Sequence, residues 1–218
     1  YGVRPLSLAS LNGNAEIIEQ LIRAGADPNT SLHGGETAVM TAARSGNADA
    51  VRVLVSYGAD INARDDEHGQ SALMWAAAEG HADVVHTLAE LGGDVGARTA
   101  REVASPPRRG LFATAPPTGF TPLLFAVRAG HVASAAILLD AGADVNDTLS
   151  DGQSALVVAT ANANWALASY LLDRGADPTL AGAGWNALHQ TVRTRRMNCC
   201  FGTPGPIPSG TTESFDVM

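Results

Sequence analysis

Apolar residues in this chain come in short runs that stop and restart. Over Thr121–Asn146, TPLLFAVRAGHVASAAILLDAGADVN, two apolar stretches at helical spacing are cut by Gly130 and closed by Gly142. Thr121 can cap a helix with its hydroxyl, and Pro122 suits the first helical position, where a missing N–H costs nothing. The pattern predicts a helix up to Gly130, a second over Val132–Ala141, and a left-handed glycine cap at Gly142. Helices this short do not persist alone, because nucleation is recovered only over about a dozen residues. The unit therefore needs copies of itself on both sides.

The chain supplies them. The opening run recurs as RPLSLA from Arg4, TAVMTAA from Thr37, SALMWAAA from Ser71, TPLLFAV from Thr121, SALVVAT from Ser154 and NALHQTV from Asn186. The closing run recurs at Gly25, Gly58, Gly92, Gly142 and Gly175, spaced 33, 34, 50 and 33 apart, so one interval carries an extra segment. Ala9, Ala42, Ala76, Ala126 and Ala159 share one position of the first helix, where a small side chain permits close approach. Leu21, Leu54, Leu88, Leu138 and Leu171 share one position of the second. Ile18, Val51, Val85, Ala135 and Ala168 lie one turn earlier on the same face. Each unit shows an apolar face that only a neighbour can cover.

These motifs resemble the ankyrin-repeat family: Thr-Pro-Leu-His-x-Ala-Ala, a Gly-His or Gly-Asn turn, an apolar second helix and Gly-Ala-Asp-Val-Asn. TPLLFAV, Gly130–His131 and GADVN at Gly142 match closely, and the likeness covers about five repeats and the start of a sixth. It implies an all-α solenoid of about 5.5 helix-turn-helix repeats with hairpin loops, curved so that first helices and hairpins line the concave side. The repeats are expected at 1–36, 37–70, 71–120, 121–153 and 154–185, with a partial sixth at 186–218. Arg4 and Asn186 stand where the family has Thr, which weakens those caps.

Two segments break the period. Residues 98–118, RTAREVASPPRRGLFATAPPT, read as a Pro/Arg-rich insertion in the third hairpin: a tolerated surface loop, or a basic arm that touches an acidic ligand. Residues 194–209 read as an insertion between the helices of the sixth repeat. With no polar cap on the first repeat and a second helix that reads as cut at Met218, the chain is expected to be a piece of a longer array.

Composition narrows the function classes. The 218 residues are 45% hydrophobic, enough for a substantial core, with a net charge of −8 and a pI near 5.1. That balance argues against nucleic acid, whose binding depends on positive charge. No apolar run approaches the roughly 18–20 residues of a membrane span. Adjacent Cys199 and Cys200 build no disulfide framework. A cytoplasmic setting is favoured, with export left open by a start at Tyr1 rather than Met.

Catalytic constellations are not visible. His81 and His131 belong to Gly-His turns and His189 to an opening motif, so helix-end hydrogen bonding accounts for all three. His33 and His68 fall on expected hairpins, where they are solvated or meet a partner. Cys199–Cys200 lacks zinc-ligand spacing, and Asp65–Asp66–Glu67 reads as a solvated tip. The reading is not an enzyme: no catalytic residues, no metal, no cofactors.

What remains is surface. By resemblance, two columns face the concave groove: Val3, Glu36, Gln70, Phe120, Gln153 and Trp185 before each opening motif, and Leu8, Thr41, Trp75, Phe125, Val158 and Gln190 within it. Trp75, Phe120, Phe125 and Trp185 are half of the chain's eight Trp and Phe residues, placed where stacking does not need them. Exposed aromatics on a concave face are typical anchors. Arg64, Asp66, Glu67 and Arg128 on the rim, with Gln70 and Gln190, complete the expected partner-binding set. The expected function is a non-catalytic, monomeric scaffold gripping a partner protein in its groove. The alternative is a regulatory or targeting arm of a larger enzyme.

Overall fold

The computed structural model describes residues 4–99, 118–182 and 185–192, and for Gly182 and Trp185 the backbone alone. Cys199, Cys200 and the expected insertion at 194–209 lie outside the described residues. Five helix pairs follow one another: α1 (Pro5–Leu11) and α2 (Ala15–Arg23), α3 (Ala38–Arg44) and α4 (Ala48–Ser56), α5 (Ala72–Glu79) and α6 (Ala82–Glu90), α7 (Pro122–Ala129) and α8 (Val132–Asp140), α9 (Ala155–Ala161) and α10 (Trp165–Asp173). A further helical run covers 187–192. Among the described residues extended pairing is confined to hairpins: β1 (Ala181–Gly182) against β2 (Trp185–Asn186), and single bridges Ser31–Thr37 and Thr148–Ser154. The fold is an all-α repeat solenoid.

Each first helix packs on the next first helix, and each second helix on the next second helix. The repeating columns are the core. Ala42, Ala76, Ala126 and Ala159 are fully buried, as are Leu54, Leu88, Leu138 and Leu171, and Ile18, Val51, Val85, Ala135 and Ala168. Burying each Leu is worth about 1.5–3 kcal/mol, and it is realised only between units, so the pairs stand or fall together.

Thr37, Ser71, Thr121 and Ser154 cap their helices by accepting the N–H three residues on, at 3.3–3.4 Å. Arg4 makes no side-chain cap. Asn186 does: its Oδ1 accepts the His189 N–H at 3.1 Å, so the change from Thr costs no cap there. Helix α8 stops at Asp140 rather than Ala141, which serves as its C-cap before Gly142 at φ 96°.

Polar side chains register the joints. Asn29 Nδ2 donates to Gly58 O at 2.9 Å, while its Oδ1 accepts the Asp60 N–H at 2.7 Å. Asn62 makes the same pair with Gly92 and Asp94, and Asn146 accepts from Asp177 N. In the third closing run Gly96 stands in the Asn position. There Arg98 bridges instead, donating to Gly119 O at 3.1 Å and Thr148 O at 2.8 Å and pairing with Asp147.

Thr99 closes the base of the extra segment. Its N–H donates to Phe120 O at 2.9 Å, and its Oγ1 accepts from Gly119 N and Phe120 N. Thr118 donates to Ser150 Oγ at 3.0 Å. Arg98, Thr99 and Thr118, which the pattern assigns to the insertion, thus belong to the hairpin framework. Arg98 is spent on that framework and is not part of a free basic arm; residues 100–117 lie outside the described set.

Candidate functional site

A cavity of about 520 Å³ opens between the first and second hairpins and the first helices of the third and fourth pairs. Trp75, Met74, Ala78 and Phe125 line it from the helices, and Arg44, Glu79 and Arg128 flank them. His33, Gly34, Glu36, Asp65, Glu67, His68 and Gln70 line it from the hairpin side. The hairpin is built by Asp65. Its carboxylate accepts the N–H groups of Glu67, His68 and Gln70 at 3.1, 2.6 and 3.0 Å, and its own N–H donates to Gln70 O at 3.0 Å. Asp65 is therefore a turn organiser rather than part of a solvated tip.

A chain of contacts holds one wall. Thr41 Oγ1 donates to Glu36 Oε1 at 3.0 Å, Arg44 Nη2 pairs with the same oxygen at 3.0 Å, and the Arg44 guanidinium lies 5.3 Å from the Trp75 ring centre. Trp75 is partly buried, and its indole Nε1 is sealed from solvent without an acceptor among the described residues. The other wall is Arg128, exposed, 4.7 Å over Phe120 and 5.2 Å over Phe125. Such cation–π contacts are worth about 0.5–1 kcal/mol at exposed sites. Among the described residues Arg128 and Glu79 make no ion pair, and Glu67 has only His68, at 4.0 Å.

The expected site residues divide. Trp75, Phe125, Arg128, Glu67 and Gln70 come together on the cavity. Phe120 and Phe125 do not project as anchors, although Phe125 lines the cavity wall: they are 8% and 5% exposed, with ring centres 5.1 Å apart beneath Arg128. A large ring on a groove position is covered when the column beside it supplies a long cationic side chain, and here it does. Gln190 is also buried, at 8%, and bonded. Arg64 turns away to donate to Arg98 O at 2.5 Å. Asp66 is exposed outside the cavity, its N–H donating to Gly34 O at 2.9 Å. Trp185 pairs by its backbone with Gly182, and its side chain is outside the described set. Residue-by-residue reading missed Arg44 and Glu79. Arg44 was within reach, because it shares the column of Arg128, seven residues after the capping position.

His33 and His68 both face the cavity. His81 and His131 act across joints rather than at their own helix ends: their Nε2 atoms meet Arg44 O at 3.0 Å and Ala78 O at 3.2 Å. Among the described residues no group of three His, Cys, Asp or Glu side chains could hold a metal ion, and no helix is long and apolar enough to cross a membrane.

Comparison with known proteins places the chain. Models of ankyrin repeats, in three copies, match residues 6–99 and 109–182. A 64-residue stretch is 41% identical to the transient receptor potential cation channel subfamily A member 1 of Homo sapiens, covering 29% of this chain and 6% of that channel protein. The chain therefore spans only a small part of that relative's length. Most of the sequence is matched, and the helix pairs, capping residues and joint ladders recur at the matched period. The chain belongs to the ankyrin-repeat family, whose repeats are generally non-catalytic protein–protein interaction modules.

Proposed function

We propose that this chain binds a segment of a partner protein in the cavity between its first and second hairpins and the helices carrying Trp75 and Arg128. The reading is carried by one observation. A roughly 520 Å³ cavity combines a partly buried Trp with an exposed Arg and two exposed carboxylates, Arg128, Glu67 and Glu79, which among the described residues have no ion-pair partner closer than His68, 4.0 Å from Glu67. A tryptophan and an arginine are the side chains most often found at the energetic centre of an interface, and the flanking carboxylates select the partner's charge pattern. The rigid helix stack keeps the ordering cost of binding low. The repeats are taken as 1–36, 37–70, 71–120, 121–153, 154–185 and 186–218, acting together as a monomeric, non-catalytic scaffold.

Selection of peptides from a displayed random library, followed by titration of a selected peptide labelled for anisotropy, tests the reading. Trp75→Ala and Arg128→Ala should each weaken binding by more than about tenfold, while Arg52→Ala on α4 should leave it unchanged. Affinity within twofold for both groove variants would remove the cavity as the site.

A further inference from the structure

The first helix pair carries one half of a joint that recurs four times elsewhere in the chain. Ile17 on α2 is 45% exposed, yet its counterparts at the following pairs, Ala50, Val84, Ser134 and Leu167, are all at 0%. Leu8 on α1 is 48% exposed, whereas Thr41, Phe125 and Val158 in its column are at 4–5%. In the later pairs each first helix packs on the preceding first helix and each second helix on the preceding second helix, and Trp75, also in the Leu8 column, is partly buried.

The polar half of the joint agrees. Asn47, His81, His131 and Asn164 each bond back to a carbonyl of the preceding first helix: Leu11, Arg44, Ala78 and Val127. Asn14 holds the same place, and its Oδ1 caps Ile17 N, but its exposed side-chain amide N–H groups have no acceptor among the described residues. In the hairpin ladder, the Asp60, Asp94 and Asp177 N–H groups donate to the Asn of the preceding closing run. Asp27, next in that register, has no acceptor for its N–H among the described residues, and Gly25 O, the counterpart of Gly58 O and Gly92 O, accepts no bond there. Two apolar side chains, one amide and one backbone donor–acceptor pair are thus left open in the geometry that the internal joints satisfy.

We propose that the face formed by Leu8, Ile17, Asn14 and the Gly25–Asp27 edge is a docking surface for one more helix pair of this repeat type, joined in cis ahead of Arg4. Its chemistry is set by the four existing joints. It must present an apolar stripe to Leu8 and Ile17. It needs a glycine at its inter-helix turn, since a Cβ there would meet the side chain at the Asn14 position, as at Gly13, Gly46, Gly80 and Gly130. It must also carry an Asn in its closing run to reach Asp27. The proposal does not depend on what the groove binds.

The test joins a copy of residues 37–70 directly to Arg4, in register. The melting temperature should rise, and exchange of the Asp27 amide should slow by more than about tenfold. Ile17→Arg should abolish the rise in the extended chain while leaving the melting temperature of the original chain unchanged, because Ile17 is exposed there. Changing the copied Asn62 to Ala should return Asp27 exchange to its original rate without unfolding the protein. Two separate melting transitions with unchanged Asp27 exchange would overturn the proposal. So would reversible dimerisation of the original chain that Ile17→Arg disrupts, which would give the face to a second copy.

Discussion

The Nε2 of His131 lies 3.2 Å from the carbonyl oxygen of Ala78, across the joint between the third and fourth helix pairs. Only a protonated Nε2 can donate to a carbonyl, so the contact fixes the tautomer. The imidazole lies against Gly80, which is at φ 78° and whose Cβ, if present, would come 2.6 Å from the ring. The glycine is required twice, for its left-handed backbone and for the space that its neighbour's ring occupies.

Gly80→Ala should therefore destabilise the protein by about 2 kcal/mol or more, from left-handed strain and the clash together. Gly80→Ala with His131→Ala should cost less than the sum of the two single changes, because the clash vanishes with the ring. Urea unfolding of the four proteins checks this, and simple additivity would show that the ring and the glycine do not interact.

Ala163 is the mirror of that case. It holds φ 57°, the left-handed conformation, at a position where the earlier pairs have Gly13, Gly46, Gly80 and Gly130, and it is the one non-glycine residue that does so among the described residues. A left-handed alanine costs about 1–2 kcal/mol, partly offset by the greater unfolded-state entropy of glycine. Ala163→Gly should raise stability by roughly 0.5–1 kcal/mol. A destabilised variant in the same unfolding assay would mean that the alanine is relaxed.

Ser134 is fully buried, and its hydroxyl has no hydrogen-bond partner among the described residues. An unpaired buried hydroxyl costs about 1–3 kcal/mol of desolvation. Ser134→Ala should stabilise the joint between α6 and α8 by about 1 kcal/mol. A loss of stability would reveal a partner for the hydroxyl.

Arg98 takes over registration where Gly96 replaces the usual Asn, holding Gly119 O, Thr148 O and the Asp147 carboxylate. Arg98→Met keeps the apolar stem and removes every one of those bonds. The Thr99 N–H, which donates to Phe120 O at the base of the extra segment, should then exchange several-fold faster, with a global loss of about 1–2 kcal/mol. Unchanged exchange at Thr99 would show that the base closes without Arg98.

The Asp177 carboxyl is held below the ordinary carboxylate range, first by the Thr179 hydroxyl and then by the Thr179 N–H, which donate to it at 2.7 and 2.8 Å. A depressed carboxyl contributes stability that is present above its unfolded value and lost as pH falls through the folded one. Carboxyl NMR should find its midpoint below that of a free Asp, and Thr179→Ala should move the midpoint upward. An unmoved midpoint would assign the shift to the backbone alone.

The period, the paired helices, the glycine stops and the Ala and Leu core columns were all present in the linear order of residues. They arise from local rules, helix spacing and left-handed caps, applied over and over. Which groove residues face solvent was not legible in the same way. Phe120 and Phe125 occupy groove columns, but Arg128 lies over both rings, so Phe125 reaches the cavity only as a nearly buried wall beside the more exposed Trp75. Arg98 looked like part of an insertion because its partners, Asp147 and Thr148, lie almost fifty residues away. Repetition along a chain determines which faces must meet a neighbour. Which side chain covers which depends on contacts between units, and only the folded stack brings those units together.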